Sequence, residues 1–540
     1  MGPINTDASS HERQSMPQNR KVLVIGIDGA TFDVIRPLIA EGKLPHMNAL
    51  MNEGAHGGLL STIPRLSPVA WTSFSTGATP GSHGVFNFVD IKPGTEYLAP
   101  VTSVRRQIKP LWKVASEMGK KSVVLNVCGT SPPDEFDGIM ISGEPSPFHD
   151  SRRVSPPEAF DKLAARFGKR FLAPPRSRSK AAFLADLLQT VDLWRDVSLF
   201  LMPTIDWDLF VITFISSDTT QHFFWKDMEG GPGSDPAFRD AVYQVYERID
   251  QAIGRLLEAV SNDTSVLIVS DHGFEPLYQS FSLPDWLAEK GYLVRTPNRM
   301  SRRLVSVKNL FQAMLRKAGV MGSLPPPLFL SGVDWSQTRA YDLGPAKALN
   351  VNLEGRETCG TVKPGAEYEQ LVAELTSELM AMTLPDGQKP VKHVYRREDL
   401  YPKSRLSPDL LIDCVRGVGI RAGGDPMGVF KGLRRWGVTD WSGDHAEEGI
   451  FIVRGPDVVT GPISDARIID VAPTIYHLLG LDVPESLDGK ALTQALSESS
   501  AQAVHYADID VREAEHAETE YNEEESDKVA QRLRDLGYLD

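Results

Sequence analysis

Cysteine is scarce in this chain: Cys128, Cys359 and Cys414 are the three in 540 residues, far apart and without a Cys-x-x-Cys spacing. That argues against a disulfide framework and against a cysteine-built zinc site. Long apolar runs are lacking too. No stretch approaches the roughly 18 uninterrupted apolar residues of a membrane-spanning helix. The first twenty residues, MGPINTDASSHERQSMPQNR, hold none of the apolar core of a secretory signal. Positive charge is short as well, with a formal net charge of −14 and no dense Lys/Arg stripe. A phosphate-neutralising nucleic-acid surface is therefore disfavoured. The expectation is a cytoplasmic chain with no membrane span.

What is present is an ordinary globular composition, 41% hydrophobic, 24% charged and 8% aromatic, which excludes disorder of the whole chain. At Lys21 the polar tail gives way to KVLVIGIDG, a short apolar run closed by Gly, the pattern of a buried parallel strand. Similar runs recur at Ser122–Val127, Asp208–Phe214, Thr264–Ser270 and Gly449–Val453, with another strand at Pro408–Cys414. Helical patterns separate them. Over Ala237–Val260, Val242, Val245, Tyr246, Ile249, Ile253, Leu256 and Leu257 share one face. Ala181–Met202 and Ala366–Met382 also read as helices. Strands alternating with helices predict an α/β domain built on a mostly parallel sheet.

Residues 275–335 break that rhythm. They are basic around Arg295–Lys317 and contain Pro325-Pro326-Pro327, and they read as an insertion or cap. The division expected is a disordered tail over 1–20, a catalytic domain over 21–274 and 336–500, and an acidic linker with a C-terminal amphipathic helix over 501–540. That helix places Val529, Leu533 and Leu536 on one side, suited to docking onto the parent domain.

Five separate fragments carry chemistry: GIDG (Gly26–Gly29), LSPVAWTSFSTG (Leu66–Gly77), SDTTQH (Ser217–His222), SDHG (Ser270–Gly273) and GDH (Gly443–His445). Each alone is weak, since an Asp after a strand is often a helix cap and a lone His is often structural. Together they place Asp28, Asp218 and Asp271-His272 just beyond strands, where open α/β sheets gather their chemistry. Hydrolysis of a phosphate ester needs positive charge on the attacking and leaving oxygens, and a pair of cations supplies it. Carboxylate and imidazole suit Zn²⁺ and related ions. The acidic net charge does not forbid an anionic substrate, because bound cations reverse the local potential.

Ser67 is the candidate nucleophile. Ser67-Pro68, VAWTSFST and Gly77 read as N-cap, first-turn proline, helix body and terminating glycine. Ser67 is thus expected at the positive end of a helix, where backbone N–H groups meet an anion. Thr72, Ser73, Ser75 and Thr76 fall inside the helix and are poorer candidates.

In chain order, GIDG, Ser67 ahead of TGATPGSHGVF (Thr76–Phe86), the Asp-x-x-x-His pair, SDHG and GDH resemble the type I phosphodiesterase/nucleotide pyrophosphatase branch of the alkaline phosphatase superfamily. The resemblance runs from about Lys21 to Lys490 and includes Asp470–Gly489, similar to a closing helix-and-turn segment of that superfamily. It implies an alkaline-phosphatase-like fold, with a mostly parallel central sheet flanked by helices and an inserted cap. It further implies two divalent ions, Zn²⁺ or else Mn²⁺. Asp218, His222 and His445 would hold one; Asp28, Asp271 and His272 would hold the other, with Ser67 bridging toward it. Family members also place an Asn after the His-Gly pair to hold a phosphate oxygen, and Asn87 stands one residue from that register. His83 matches the motif in a structural role. A sulfatase motif is absent, because Pro68 directly follows Ser67 and Trp71 takes the Arg place.

The function expected is hydrolysis of phosphodiesters or pyrophosphates on a small phosphorylated substrate, with Ser67 attacking phosphorus and water later releasing it. Transfer to another alcohol, monoester hydrolysis, and a non-catalytic binding protein keeping the metal site remain as alternatives. Nothing in the sequence speaks to oligomeric state.

Overall fold

The computed structural model describes residues 20–91, 98–168, 171–172, 179–296, 332–421, 430–432, 441–514, 521–535 and 538. The strand Val22–Ile27 is buried at all six positions. Val22 and Val24 belong to one apolar core, and Leu23, Ile25 and Ile27 to another. Successive side chains of a strand point to opposite faces, so a strand covered on both sides reads as an unbroken apolar run. Full burial of each such side chain contributes roughly 1.5–3 kcal/mol.

This strand pairs in parallel with Leu209–Phe214 and with Ser265–Val269. Ser122–Leu125 and Gly138–Ile141 extend the parallel block on one side. On the other, Glu448–Arg454 runs antiparallel to both Ser265–Val269 and Ala55–Leu60. Ten strands of the described residues join this sheet. It is the mostly parallel α/β architecture that the alternating pattern predicts.

Helices cover both faces. Lys180–Leu201, Ser216–Glu229 and Ala241–Glu258 pack into the core that holds Leu23 and Ile25. Ser67–Thr76, Leu111–Glu117 and Val471–Leu478 pack into the other. The C-terminal helix Glu523–Asp535 joins that second core through Val529 and Leu533; Leu536 lies outside the described residues.

A third core gathers Phe281, Trp286, Tyr341, Leu371, Leu375 and Leu410. A four-stranded sheet of Ala340–Asp342, Ala348–Val351, Leu410–Cys414 and Val391–Arg396 forms around it, with the helix Ala366–Ala381. The described part of segment 275–335 therefore shares its packing with residues well beyond 335. Residues 297–331 and, apart from Arg20, the tail 1–20 lie outside the described residues. No helix among those described is long and apolar enough to cross a membrane.

Candidate metal centre and nucleophile

Strand register brings the site to one edge of the sheet. Ile27 is opposite Phe214 and Gly26 opposite Val269, so three parallel strands end together. The chain beyond each carries Asp28, Asp218 and Asp271-His272. Asp218 and His222 stand four residues apart on Ser216–Glu229 and so share a helix face. Asp218 Oδ1 lies 3.2 Å from His222 Nε2. His445 sits on Gly443–Ala446, opposite Phe274 in an antiparallel pairing with Gly273–Ser282. That pairing carries it back over the sheet edge, 3.3 Å from Asp218 Oδ1 and 3.0 Å, nitrogen to nitrogen, from His222 Nε2.

The GIDG turn is glycine-rich for steric reasons. A Cβ on Gly26 would lie 2.6 Å from Trp71 Cη2, and Gly29 adopts φ +67°, a left-handed conformation that favours glycine. Close approach of the Ser67 helix to this strand end requires Gly26, while a Cβ on Gly29 would lie 2.9 Å from Phe274 Cδ2.

The structure shifts the helix start by one residue from the sequence reading. Leu66 is the cap, with extended backbone and no side-chain capping bond, and Ser67 is the first helical residue, its hydroxyl turned toward Asp28 and His272. That hydroxyl donates toward Asp28 Oδ1 at 3.3 Å and lies 3.4 Å from His272 Nε2. Four residues on, on the same face, Trp71 Nε1 donates to the other Asp28 oxygen at 2.8 Å. Gly77 ends the helix at φ 65°, as the terminating-glycine reading expects.

All three histidines present the same nitrogen. Nδ1 of His222 is 2.9 Å from the Gly443 carbonyl, Nδ1 of His272 is 3.0 Å from that of Gly273, and Nδ1 of His445 is 2.7 Å from that of Arg65. A carbonyl only accepts, so each Nδ1 carries the hydrogen and each Nε2 is left with a lone pair aimed inward. Ligating histidines are oriented by this kind of outer bond.

The electrostatics call for a cation. Two acceptor nitrogens 3.0 Å apart repel unless something positive lies between them. Asp218 Oδ1 and Asp271 Oδ2 are buried with no hydrogen-bond partner, and such orphaned oxygens are costly. Burial first, then the Asp271 and Asp218 carboxylates, push Asp28 well above the carboxylate range. Burial and then Asp218 do the same to Asp271. Burial alone would raise Asp218, and only positive charge at the His222 and His445 positions holds it low, the charge that a cation held by their Nε2 atoms would supply. Burial, followed by His445, drives His272 well below the imidazole range, keeping it a neutral donor of its lone pair.

Ligand atoms of Asp218, His222 and His445 lie within 4.8 Å of one another, as do those of Asp28, Asp218 and His272. Asp218 thus stands between two triplets. Asp271, which the resemblance grouped with Asp28 and His272, has Oδ2 3.2 Å from His272 Nε2. The donor set of carboxylate oxygens and imidazole nitrogens fits divalent cations of the Zn²⁺ class.

Asn87 is occupied otherwise. Its amide donates to the Leu343 carbonyl at 2.9 Å and its oxygen accepts from Phe88 N at 2.8 Å, on the wall of a cavity of about 1050 Å³. His83 bonds the Ser67 helix through Ser73 Oγ at 2.8 Å; burial, with Arg106 nearby, lowers it to about 3, a neutral structural tie.

Four residues around the site went unassigned from sequence. Trp71 supports Asp28. Trp441 stacks on His222 at 3.9 Å between centroids and 10° between planes. Lys347 Nζ lies 2.7 Å from Asp444 Oδ2, and the other Asp444 oxygen accepts from His445 N at 2.8 Å. Tyr538 approaches His222 from the far end of the chain. Trp71 falls inside a motif already quoted; Trp441, Lys347 and Tyr538 carry no motif of their own.

The family profile described as type I phosphodiesterase/nucleotide pyrophosphatase matches residues 22–427. No curated protein matched the sequence. Among solved structures, phosphonoacetate hydrolase from Sinorhizobium meliloti 1021, in complex with phosphonoformate, is similar with a TM-score of 0.55 at 15% identity, covering 86% of this chain and 96% of that one. Murine ectonucleotide pyrophosphatase/phosphodiesterase 5 is similar with a TM-score of 0.50 at 15% identity, covering 88% of this chain and 100% of that one. At such identities the likeness is one of fold, an alkaline-phosphatase-like α/β fold. With three quarters of its length under the family profile, the chain belongs to the type I phosphodiesterase/nucleotide pyrophosphatase family of phosphoester hydrolases.

Proposed function

We propose that the protein cleaves phosphodiesters or pyrophosphates of small molecules through a phospho-serine on Ser67 beside two divalent cations, Zn²⁺ before Mn²⁺. One observation carries the reading: the Ser67 hydroxyl, free of capping duty, faces Asp28 and His272 where three proton-free Nε2 atoms and two orphaned carboxylate oxygens converge. Asp218, His222 and His445 would hold one cation, and Asp28, Asp271 and His272 the other. When bound, the pair supplies positive charge for oxygens that become negative as phosphorus is attacked.

The chain's own groups do the rest. The first turn of the Ser67 helix turns its backbone N–H groups and positive dipole end toward an incoming phosphate. Asp28 Oδ1 accepts from the Ser67 hydroxyl and orients its oxygen. Attack forms the Ser67 Oγ–P bond and breaks the bond from phosphorus to the leaving oxygen, which departs as the alcohol or phosphate carrying the proton that the Ser67 hydroxyl gives up. Water in line with Ser67 then forms a new O–P bond as the Oγ–P bond breaks, and one of its protons goes to Ser67 Oγ to regenerate the hydroxyl.

The test compares nitrophenol release from bis-nitrophenyl phosphate and nitrophenyl phosphate by wild type and Ser67→Ala. The diester is expected to be preferred, and Ser67→Ala to lose at least a thousandfold in kcat while keeping its metal content. Preference for the monoester, or near-normal turnover by Ser67→Ala, overturns the reading.

A further inference from the structure

The family profile stops at residue 427, yet the chain's far end returns to the site. Tyr538 is 7% exposed, and its hydroxyl lies 3.4 Å from His222 Nε2. Its ring stands perpendicular to the His222 ring at 5.9 Å, packs on Phe88 at 4.5 Å and meets Trp441 edge-on at 5.3 Å. The placement is firmly held. Tyr538 N donates to the Leu533 carbonyl at 2.9 Å, and Val529 and Leu533, at 1% and 0% exposure, sit in the same core as the Ser67 helix. Farther back, Glu525 pairs with Arg152 at 3.0 Å and the Tyr521 hydroxyl donates to Ser131 Oγ at 2.7 Å. So much buried apolar surface and so many fixed bonds mark a built wall of the site, unlike a cover meant to lift away.

The acceptor facing the phenol is His222 Nε2, the lone-pair nitrogen read above as a metal ligand. With that lone pair committed to a cation, the hydroxyl loses this acceptor, and a buried hydroxyl needs another. A phosphoryl oxygen arriving at the same edge is an acceptor of the right charge. We propose that Tyr538 is a substrate-contacting residue, its phenol hydroxyl donating to an anionic oxygen of the phosphoester at the Asp218–His222–His445 edge. This rests on the reading of the site as a phosphoester hydrolase centre. It adds a C-terminal residue that the family profile does not cover.

The test uses the full-length, metal-loaded protein and Tyr538→Phe, which keeps the ring and removes the donor. Inorganic phosphate serves as the probe, titrated calorimetrically, beside metal content and kcat/KM on bis-nitrophenyl phosphate. A hydrogen bond to a charged group corresponds to roughly 10- to 100-fold. Tyr538→Phe is expected to bind phosphate, and to turn over the diester, at least about 10-fold less well, with unchanged metal content. Phosphate affinity within twofold of wild type overturns the contact, as does a wild type that binds no phosphate. Faster turnover in Tyr538→Phe would make the tail inhibitory, and lost metal would make the phenol a metal ligand; either outcome also overturns it. A wild type that binds phosphate but hydrolyses no ester removes the proposed activity, while the phosphate comparison still decides Tyr538.

Discussion

Trp71→Phe separates packing from support of the metal centre. Trp71 is fully buried, packs edge-on against Phe74 at 5.3 Å, and donates from Nε1 to Asp28 Oδ2 at 2.8 Å. Phenylalanine keeps most of the ring and removes the donor. The smaller ring leaves a void of roughly 50 Å³, which costs about 1 kcal/mol whether or not metal is bound. Loss of the outer bond to a metal-binding carboxylate weakens metal affinity by about 10- to 100-fold. At about 1.4 kcal/mol per tenfold, that removes about 1.4–2.8 kcal/mol from the stabilisation a saturating metal confers. Urea unfolding of metal-stripped and metal-loaded protein reads both effects. The stripped variant should lose about 1 kcal/mol and the loaded variant about 2.4–3.8 kcal/mol. Equal losses in the two states would reduce Trp71 to a packing residue and refute the argument that it supports Asp28.

The convergence of the candidate site residues was partly legible because its logic is local to strand ends. A buried parallel strand is an apolar run, and an Asp just past it falls at the functional edge of the sheet; that singles out Asp28 and Asp271 as candidates, and the recurrence of the pattern at several strands sets them apart from ordinary helix caps. Asp218 stood out from the strand before it, but its pairing with His222 needed the resemblance, because an Asp-x-x-x-His spacing is common by chance. His445 needed the resemblance, since the pairing of Gly443–Ala446 with Gly273–Ser282 leaves little trace in either segment. The cap position went to Leu66 because serine followed by proline satisfies a cap pattern and a first-turn pattern equally, and only the free hydroxyl tells them apart. The extent of the third core was hidden for a related reason. Phe281 and Leu410 share a core only through tertiary packing, across a stretch whose composition reads as an insertion. Trp441 and Tyr538 were out of reach, because a single aromatic far along the chain has no periodicity to announce its neighbour.

Two further outcomes test the packing and charge around these elements. Gly26→Ala drives a methyl to 2.6 Å from Trp71 Cη2 and 2.8 Å from Thr213 Oγ1, and overpacking of this kind costs about 1–3 kcal/mol. Its melting temperature should fall, and an unchanged one would mean that the strand end is looser than described. Asp342 tests the third core. Burial raises its carboxyl to about 7, against an accepted bond from Gly344 N at 3.1 Å. The folded state therefore keeps its proton at pH values where the unfolded chain has lost it. Stability from this group is fully present below about pH 4 and is lost as pH rises through about 7. At 1.36 kcal/mol per pH unit, the interval from 3.8 to about 7 amounts to on the order of 4 kcal/mol. Asp342→Asn has no proton to lose, so its stability relative to wild type should climb between pH 4 and 7 and level off above 8. A difference that stays constant from pH 5 to 8 would mean that the carboxyl is ionised in the folded protein and that water reaches it.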